Sequence, residues 1–224
     1  MRFHSKIELC VAGTGSSGNA YVINTKGVSI LLDAGVKYKK ILPLITGKQK
    51  ILFLSHDHGD HAKYVQDYIK HGFDFVFGND YRSYSVNAKS IELSHDIICY
   101  GYYIAVNGHY FVYITDTSEI RFLFRRVDTL IIEANYDDEM IEEQFIVDKI
   151  NPYLFNRIRY THLSFQQVCN FVTEQEKVYP LANVICIHLS DSRADEKKLL
   201  KMLKTVTAAN IFIAKNGESY TLEF

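Results

Sequence analysis

The first half of the chain alternates short apolar runs with polar turns, and this pattern predicts a series of β-strands. Many of the runs carry β-branched or aromatic residues, which fit the pleated, half-buried surface of a sheet. The predicted strands are Ile7–Val11, Tyr21–Ile23, Ser29–Asp33, Ile51–Ser55, Phe73–Phe77, Ser90–Leu93, Tyr102–Val106 and Tyr110–Thr115.

Helical periodicity occurs between and after these runs. The predicted helices are Ala62–Lys70, Asp137–Ile150, one that begins after Ser164, and Arg193–Val206. The third has a capping box, because Ser164 precedes Gln167 by three residues, and Phe171 continues its apolar face. Each half of the chain runs from strands to helices. We therefore expect an α/β (α+β) fold with two sheets packed together and helices outside.

The composition is typical of a folded chain rather than a disordered or fibrous one. The 224 residues are 47% hydrophobic, with 25 basic and 26 acidic side chains. No internal repeat, low-complexity tract or linker interrupts the sequence, so residues 1–224 are expected to form one domain. The net charge of −1 gives no general attraction to nucleic acid. A polyanionic substrate would need local basic patches or metal ions.

Cysteine usage and hydropathy bear on location. The four cysteines are dispersed, and no charged and then apolar leader precedes the first predicted strand. This pattern favours a cytoplasmic protein with reduced thiols. The longest apolar runs are far too short to cross a bilayer, so no membrane association is expected.

Residues 55–61, Ser-His-Asp-His-Gly-Asp-His, form a dense polar cluster directly after an apolar run. Side chains two positions apart at a strand end point the same way, so His56 and His58 can close on one ion. The following glycine permits a turn that brings Asp60 and His61 toward a second ion. The alternative is a polar loop whose histidines occur by chance. The density of imidazole and carboxylate groups favours a metal site.

Three more candidate ligands, His95, Asp116 and His188, each follow a separate apolar, strand-like run. They converge only if those strand ends lie at one edge of the fold, and singly each could be a surface residue. Asp116 is expected to bridge two divalent ions. Zinc and manganese suit this mixture of ligands, and iron also accepts it. The remaining histidines are interpreted as surface or structural residues: His4, His71 and His109.

His162 lies just before the predicted capped helix, whose N-terminus favours anions. In phosphodiester hydrolysis His162 would stabilise the pentacovalent phosphorane or protonate the leaving oxygen, while Asp60 would orient the attacking hydroxide. The alternative is a structural histidine. Asp57 is a candidate carboxylate for fixing the tautomer of a histidine ligand.

Residues 13–18 match the dinucleotide fingerprint G-x-G-x-x-G formally. The fingerprint must open a helix, whereas the residues that follow predict a β-hairpin. The segment is therefore interpreted as a glycine-rich loop whose amides and hydroxyls line the site. The candidate substrate-binding residues are Ser16, Ser17, Asn19 and Asn135.

The pattern His-x-His-x-Asp-His after an apolar run resembles the metallo-β-lactamase superfamily, whose fold is a four-layer αββα sandwich of two mixed β-sheets. Further stretches resemble the YycJ/WalJ group of bacterial and phage proteins, described as metal-dependent DNA exonucleases. The last two of these stretches also resemble the end of ribonuclease Z. The matching stretches are Gly15–Asn19, Leu32–Gly35, His95-Asp96, Thr115–Thr117, Glu133–Asp137, His162–Ser164 and His188–Ser190.

The resemblance implies a role for each candidate ligand. His56, His58 and His95 would hold one ion, and Asp60, His61 and His188 the other, with Asp116 between them. It also implies that Asp33 supports the site without binding metal and that His162 is catalytic. Two departures concern substrate choice: Tyr136 stands where the group usually has histidine, and Thr161 replaces the glycine before His162. The segment between His61 and His95 is also short.

These residues predict a metal-dependent phosphodiester hydrolase, a nuclease acting on DNA or RNA through hydroxide activated by two metal ions. The alternatives are a phosphodiesterase for small cyclic nucleotides, a thioester or lactone hydrolase of the same fold, and a non-catalytic binding module. The full ligand set argues against the last. Residues 37–40, 121–126 and 157–160 are basic and aromatic clusters that could bind a nucleic acid or simply face solvent. A second copy of the same chain is a further candidate partner, in a homodimer.

Overall fold

The computed structural model describes residues 7–147 and 149–224, whose strands form two mixed β-sheets. The first sheet has the order β13-β1-β2-β3-β4-β5. Its strands are β1 (Ile7–Gly13), β2 (Ala20–Thr25), β3 (Val28–Leu32), β4 (Gln49–Leu54), β5 (Asp74–Phe77) and β13 (Ser219–Leu222). Pairing is antiparallel from β13 to β3 and parallel from β3 to β5. The predicted hairpin after the glycine-rich loop is thereby confirmed.

The second sheet has the order β12-β11-β10-β9-β8-β7-β6. Its strands are β6 (Tyr81–Arg82), β7 (Val86–Leu93), β8 (Cys99–Val106), β9 (His109–Ile114), β10 (Thr129–Glu133), β11 (Asn183–Ile187) and β12 (Asn210–Ile213). Pairing is antiparallel from β6 to β9 and parallel from β9 to β12. The parallel part therefore brings the carboxyl ends of four strands to the same edge.

Seven α-helices and one short 3₁₀ turn connect the described strands. The helices are α1 (Tyr38–Ile41), α2 (Gly59–Ala62), α3 (Val65–Lys70), α4 (Asp138–Ile146), α5 (Pro152–Thr161), α6 (Phe165–Val178) and α7 (Glu196–Leu203), and the 3₁₀ turn is Leu42–Leu44. The predicted capping box of α6 is present: the Ser164 hydroxyl accepts a hydrogen bond from the Gln167 backbone N–H, and the Gln167 side-chain oxygen accepts one from the Ser164 backbone N–H. None of the described helices is both long and apolar enough to span a membrane.

Successive side chains of each strand point alternately into the core shared by the two sheets and into a cluster beneath the outer helices, as the pleat requires. Ile51 and Phe53 of β4 face a core shared with the second sheet, whereas Leu52 lies in a separate cluster beneath α1 and α3. In the same way Ile185 of β11 faces the shared core, and Val184 packs with α6 and α7. Two sheets thus pack face to face with helices outside, which confirms the predicted four-layer arrangement.

The structure differs from the sequence prediction at several elements. The predicted helix Ala62–Lys70 is divided, because the Tyr64 amide donates to the Ala34 carbonyl rather than continuing a helical hydrogen-bond series. The sequence pattern did not identify α5, although Asn151 caps it and Pro152 occupies its first turn. The predicted helix Asp137–Ile150 ends at Ile146, and its residue 148 lies outside the described residues. The strands that the pattern did not identify are β6, β10, β12 and β13, with β11 recognised only as an apolar run.

The histidines interpreted as surface or structural have settings that fit this interpretation where they are described. His71 stacks on the Tyr38 ring with centroids 3.8 Å apart, and the ring of His109 lies 4.0 Å from that of Phe224. His4 lies outside the described residues.

Candidate metal centre

The candidate ligands follow the carboxyl ends of strands in both sheets, and the sheet packing brings these ends together. His56 and His58 follow β4, Asp116 follows β9, and His188 follows β11 directly. Asp33, after β3, lies behind them. Parallel pairing within each sheet aligns these ends, so residues distant in sequence meet at one edge.

Backbone strain is concentrated at the same edge. Three non-glycine residues there, Asp33, Asp116 and His188, have positive φ angles of 62°, 47° and 55°. Such left-handed conformations cost roughly 1–3 kcal/mol each and persist where the surrounding structure over-determines them. Each one turns the chain sharply at a strand end, so the strain is localised where the polar side chains converge.

A first group of donors comprises His56, His58 and His95. His58 Nδ1 lies 3.1 Å from His56 Nε2 and 3.4 Å from His95 Nε2. Asp116 closes the group, with its Oδ2 3.6 Å from His56 Nε2. His56 is fully buried, whereas His58 is partly open to solvent. The structure therefore brings together the three histidines that the family resemblance assigns to one ion.

A second group comprises Asp60, His61 and His188. Asp60 Oδ2 lies 3.3 Å from His61 Nε2 and 3.6 Å from His188 Nε2. The same Oδ2 of Asp116 that faces His56 lies 3.5 Å from His61 Nε2. Asp116 is thus shared between the two groups, as expected for a bridging carboxylate.

The donor spacing fits divalent metal ions. Four ligand atoms about 2.0–2.1 Å from a tetrahedral ion lie about 3.3 Å from one another, close to the separations in both groups. The buried Nε2 atom of His188 has no hydrogen-bond partner among residues 7–147 and 149–224, although an unsatisfied buried polar atom is costly. An ion held with Asp60 and His61 would satisfy it, so the chemistry and the geometry agree.

Contacts behind the ligands fix their ring orientations. Asp33 Oδ2 lies 2.6 Å from His61 Nδ1, which leaves Nε2 to face Asp116. Ser55 Oγ lies 2.9 Å from His56 Nδ1 in the same manner. Asp33 also accepts hydrogen bonds from the Ser55 amide and the Tyr113 hydroxyl. Such outer contacts hold the tautomer and direction of a ligating histidine.

His162 lies beside the donor groups and pairs with Glu133, a fully buried residue at the end of β10. Its Nδ1 atom is 2.6 Å from Glu133 Oε1, and its ring centroid is 5.5 Å from that of His188. The pairing occupies Nδ1 and leaves Nε2 for other contacts. Sequence reasoning did not identify Glu133 as a functional residue, although it ends an apolar run as the candidate ligands do.

Carboxylates dominate the electrostatics of the site. Burial lowers the pKa of His61, but the carboxylates of Asp116 and Asp33 outweigh it and raise that pKa to about 10. The pKa of His188 is raised for the same reason, mainly by Asp116 against burial. Burial, together with the neighbouring His61, lowers the pKa of His56 to about 3. The raised pKa values of His61 and His188 therefore favour their protonated forms beside the carboxylates in the metal-free site.

We expect metal binding to release protons and to strengthen as the pH rises. At neutral pH a pKa of about 10 keeps His61 protonated, and the raised pKa of His188 favours its protonated form, whereas a metal ligand must be neutral. Raising the pH toward about 10 removes this competition. Calorimetric titration with zinc in two buffers of different ionisation enthalpy measures the release, which should reach about one proton or more per chain. A binding enthalpy independent of the buffer would contradict this expectation.

The donor groups lie at the base of an open cleft of about 460 Å³. Of the candidate substrate-binding residues, Ser16 and Asn135 line the cleft, whereas Ser17 is exposed outside its lining. Asn19 is buried, and its Nδ2 atom lies 3.0 Å from His61 Nε2 and donates to Asp60. Asn19 thus contacts the donor groups rather than the cleft.

Two further features of the site depart from the sequence pattern. Asp57 is exposed and has no hydrogen bond or ion pair to any described residue, so it does not orient a histidine there. Instead Asp96 lies beside the first group, 3.1 Å from His95 Nε2 and 3.5 Å from His58 Nε2.

The cleft wall also contains Arg157 and Arg193, which the pattern did not connect with the metal site.

Comparisons with known proteins give relatives of the whole fold but only distant ones in sequence. No protein-family model matches the chain. The exodeoxyribonuclease WalJ of Streptococcus pneumoniae is 24% identical over 170 residues, which are 58% of this chain and 63% of that protein. The alignment therefore spans less than two thirds of the length of this curated relative.

Solved structures extend the similarity over nearly the entire chain. The metallo-β-lactamase fold protein YhfI from Bacillus subtilis has a TM-score of 0.71 at 16% identity, covering 96% of this chain and 99% of that one. The short form of human tRNase Z has a TM-score of 0.63 at 15% identity, covering 97% and 100%. With its two mixed sheets, outer helices and strand-end donor groups, the chain has the metallo-β-lactamase fold.

Proposed function

We propose that the chain is a metal-dependent phosphodiester hydrolase, and specifically a nuclease that acts on DNA in preference to RNA. The observation that carries the proposal is the pair of donor groups joined by one carboxylate, Asp116 Oδ2, which lies 3.6 Å from His56 and 3.5 Å from His61. We assign two divalent ions, zinc or manganese, to these groups. The proposed ligands are His56, His58, His95, Asp60, His61, His188 and the bridging Asp116.

Two divalent ions at these positions would supply an acidified water and charge neutralisation for the phosphate oxygens. The residues of the chain provide the remaining functions. Asp60 borders the cleft and would orient the nucleophile by accepting a hydrogen bond. His162, held through Nδ1 by Glu133, would use Nε2 to protonate the leaving oxygen.

Phosphate chemistry is supported by the lining of the cleft. Arg157 and Arg193 offer guanidinium groups, which match phosphate oxygens in a planar, bidentate manner. Ser16, Asn135 and Ser190 add neutral donors. The names of the relatives agree with this chemistry, since one is an exodeoxyribonuclease and another a tRNase. Both are distant, so their substrates support the proposal without deciding it.

A phosphodiesterase for small cyclic nucleotides is the second candidate. The cleft volume of about 460 Å³ falls within the range of small-molecule sites, so one nucleotide would fit. The two candidates differ in what lies outside the cleft, because only a polymer needs contacts there.

Metal analysis and a substrate panel test the proposal. The chain, purified without chelator and supplied with zinc or manganese, should contain about two ions per molecule. It should hydrolyse bis(p-nitrophenyl) phosphate and linear DNA faster than RNA, cyclic nucleotides, thioesters or lactones, and chelation should abolish the activity. Fewer than about one transition-metal ion per chain would overturn the dinuclear centre. Turnover of thioesters or lactones alone would overturn the phosphodiesterase assignment.

A further inference from the structure

The sequence contains three basic and aromatic clusters, and only one of them borders the cleft. In residues 37–40 the Tyr38 ring is committed to His71, and no residue of that segment lines the cleft. Residues 121–126 do not line the cleft either, and there the Arg126 guanidinium lies 4.2 Å from the Tyr110 ring centroid. Arg157, in residues 157–160, forms part of the cleft wall. Of the three clusters, the one in α5 therefore lies next to the candidate metal site.

One face of α5 is a stripe of Tyr153, Arg157 and Tyr160, which we name the α5 stripe. Its members are spaced by four and three residues, so they share one side of the helix. Tyr153 is 76% exposed and Tyr160 is 73% exposed, and neither ring stacks on another described ring. The two rings are separated by seven residues, or about 10 Å along the axis.

The arginines at the cleft lack carboxylate partners. No described acidic side chain pairs with Arg157 or Arg193, whereas other basic residues such as Lys198 form ion pairs. Within the part of the chain that the structure describes, the buried Nε of Arg193 has no hydrogen-bond partner, and its Nη1 donates to Ser190 Oγ at 3.5 Å. Arg159, the other arginine of α5, lies 5.2 Å from the Phe155 ring instead. Arg157 and Arg193 are therefore available to bind anions at the cleft.

We propose that the α5 stripe and Arg193 bind single-stranded DNA and lead it into the cleft, a proposal that rests on the nuclease function proposed above. Exposed aromatic rings stack on unpaired bases, whereas the bases of a duplex already stack on one another. Arg157, between the two tyrosines, would bind the phosphate that joins their nucleotides. Neither tyrosine lines the cleft, so these contacts require a substrate longer than one nucleotide.

Binding of an oligonucleotide measures the α5 stripe directly. A fluorescent oligothymidylate of about twelve nucleotides with phosphorothioate linkages, which slow hydrolysis, is titrated with the full chain while anisotropy is recorded. Replacing Tyr153 and Tyr160 together with alanine should raise the Kd at least about tenfold, since each stacked base contributes appreciably. Arg157→Ala should weaken binding and reduce the salt dependence by about one phosphate contact. The wild-type chain should bind the corresponding duplex at least about tenfold more weakly.

Matched controls separate this surface from general effects. Tyr84→Ala and Arg82→Ala remove an exposed tyrosine and an exposed arginine that do not line the cleft, and should leave the Kd unchanged. The double tyrosine variant should retain its metal content and melting temperature. It should also lose at least about tenfold more turnover on single-stranded DNA than on bis(p-nitrophenyl) phosphate.

The outcomes of this test distinguish the two proposals. A change in Kd below about twofold for the double tyrosine variant, or equal affinity for duplex, would overturn the α5 stripe as a single-strand site. Tighter binding of the equivalent RNA would overturn the assignment to DNA. If the wild-type chain hydrolyses no phosphodiester yet binds the oligonucleotide through α5, the proposed function fails and the binding surface stands.

Discussion

Replacing Asp116 with alanine is expected to lower the turnover of bis(p-nitrophenyl) phosphate by at least about 10³-fold and the metal content to about one ion or less. Its Oδ2 atom is the one that faces both His56 and His61, so its loss removes a ligand from each group together. It also leaves buried imidazoles without their principal counter-charge. Elemental analysis and steady-state kinetics on the same preparation measure both effects.

Asp57→Ala is the matched control for this variant. Asp57 lies between two candidate ligands in sequence, but it is exposed and has no hydrogen bond or ion pair to a described residue. Its removal should leave metal content and turnover unchanged. If Asp116→Ala keeps both ions and turnover within about threefold of the wild-type value, Asp116 does not bridge the metals.

Replacing His162 with alanine is expected to separate proton transfer from metal binding. The metal content should not change, because Asp60, His61 and His188 remain, whereas turnover of DNA should fall by about 10²–10⁴-fold. Hydrolysis of bis(p-nitrophenyl) phosphate should fall much less, since p-nitrophenolate leaves without protonation. Comparing kcat for the two substrates measures the contribution of the acid.

Glu133→Gln tests the partner of this acid as a positioning residue. Burial lowers the pKa of His162, but the Glu133 carboxylate outweighs it and raises that pKa. An acid works in its protonated form, so activity declines as the pH rises through this pKa. Removing the charge should therefore move the basic limb of the kcat profile to lower pH. An equal loss on both substrates in His162→Ala, or an unmoved limb in Glu133→Gln, would contradict the assignment.

Local sequence determined much of the strand and helix pattern and the identity of the ligand side chains. Alternation of apolar residues predicts strands such as β3 and β4, because the pleat itself has a period of two. The capping box at Ser164 and Gln167 is a contact between near neighbours, so local sequence alone predicts the start of α6. The density of histidine and aspartate in residues 55–61 similarly indicates metal chemistry without any tertiary information.

Tertiary structure alone decided which distant residues meet. Strand order depends on contacts between residues far apart in the chain, so the convergence of Asp116 with His61 was expected only on the condition that strand ends share an edge. The pairing of Glu133 with His162 needed β10, which local pattern did not identify. Packing likewise decides that the Tyr38 ring stacks on His71, whereas Arg157 lines the cleft. Periodicity and helix caps depend on contacts between residues close in sequence. The cleft depends on the packing of two sheets, which brings together strand ends that are far apart in the chain.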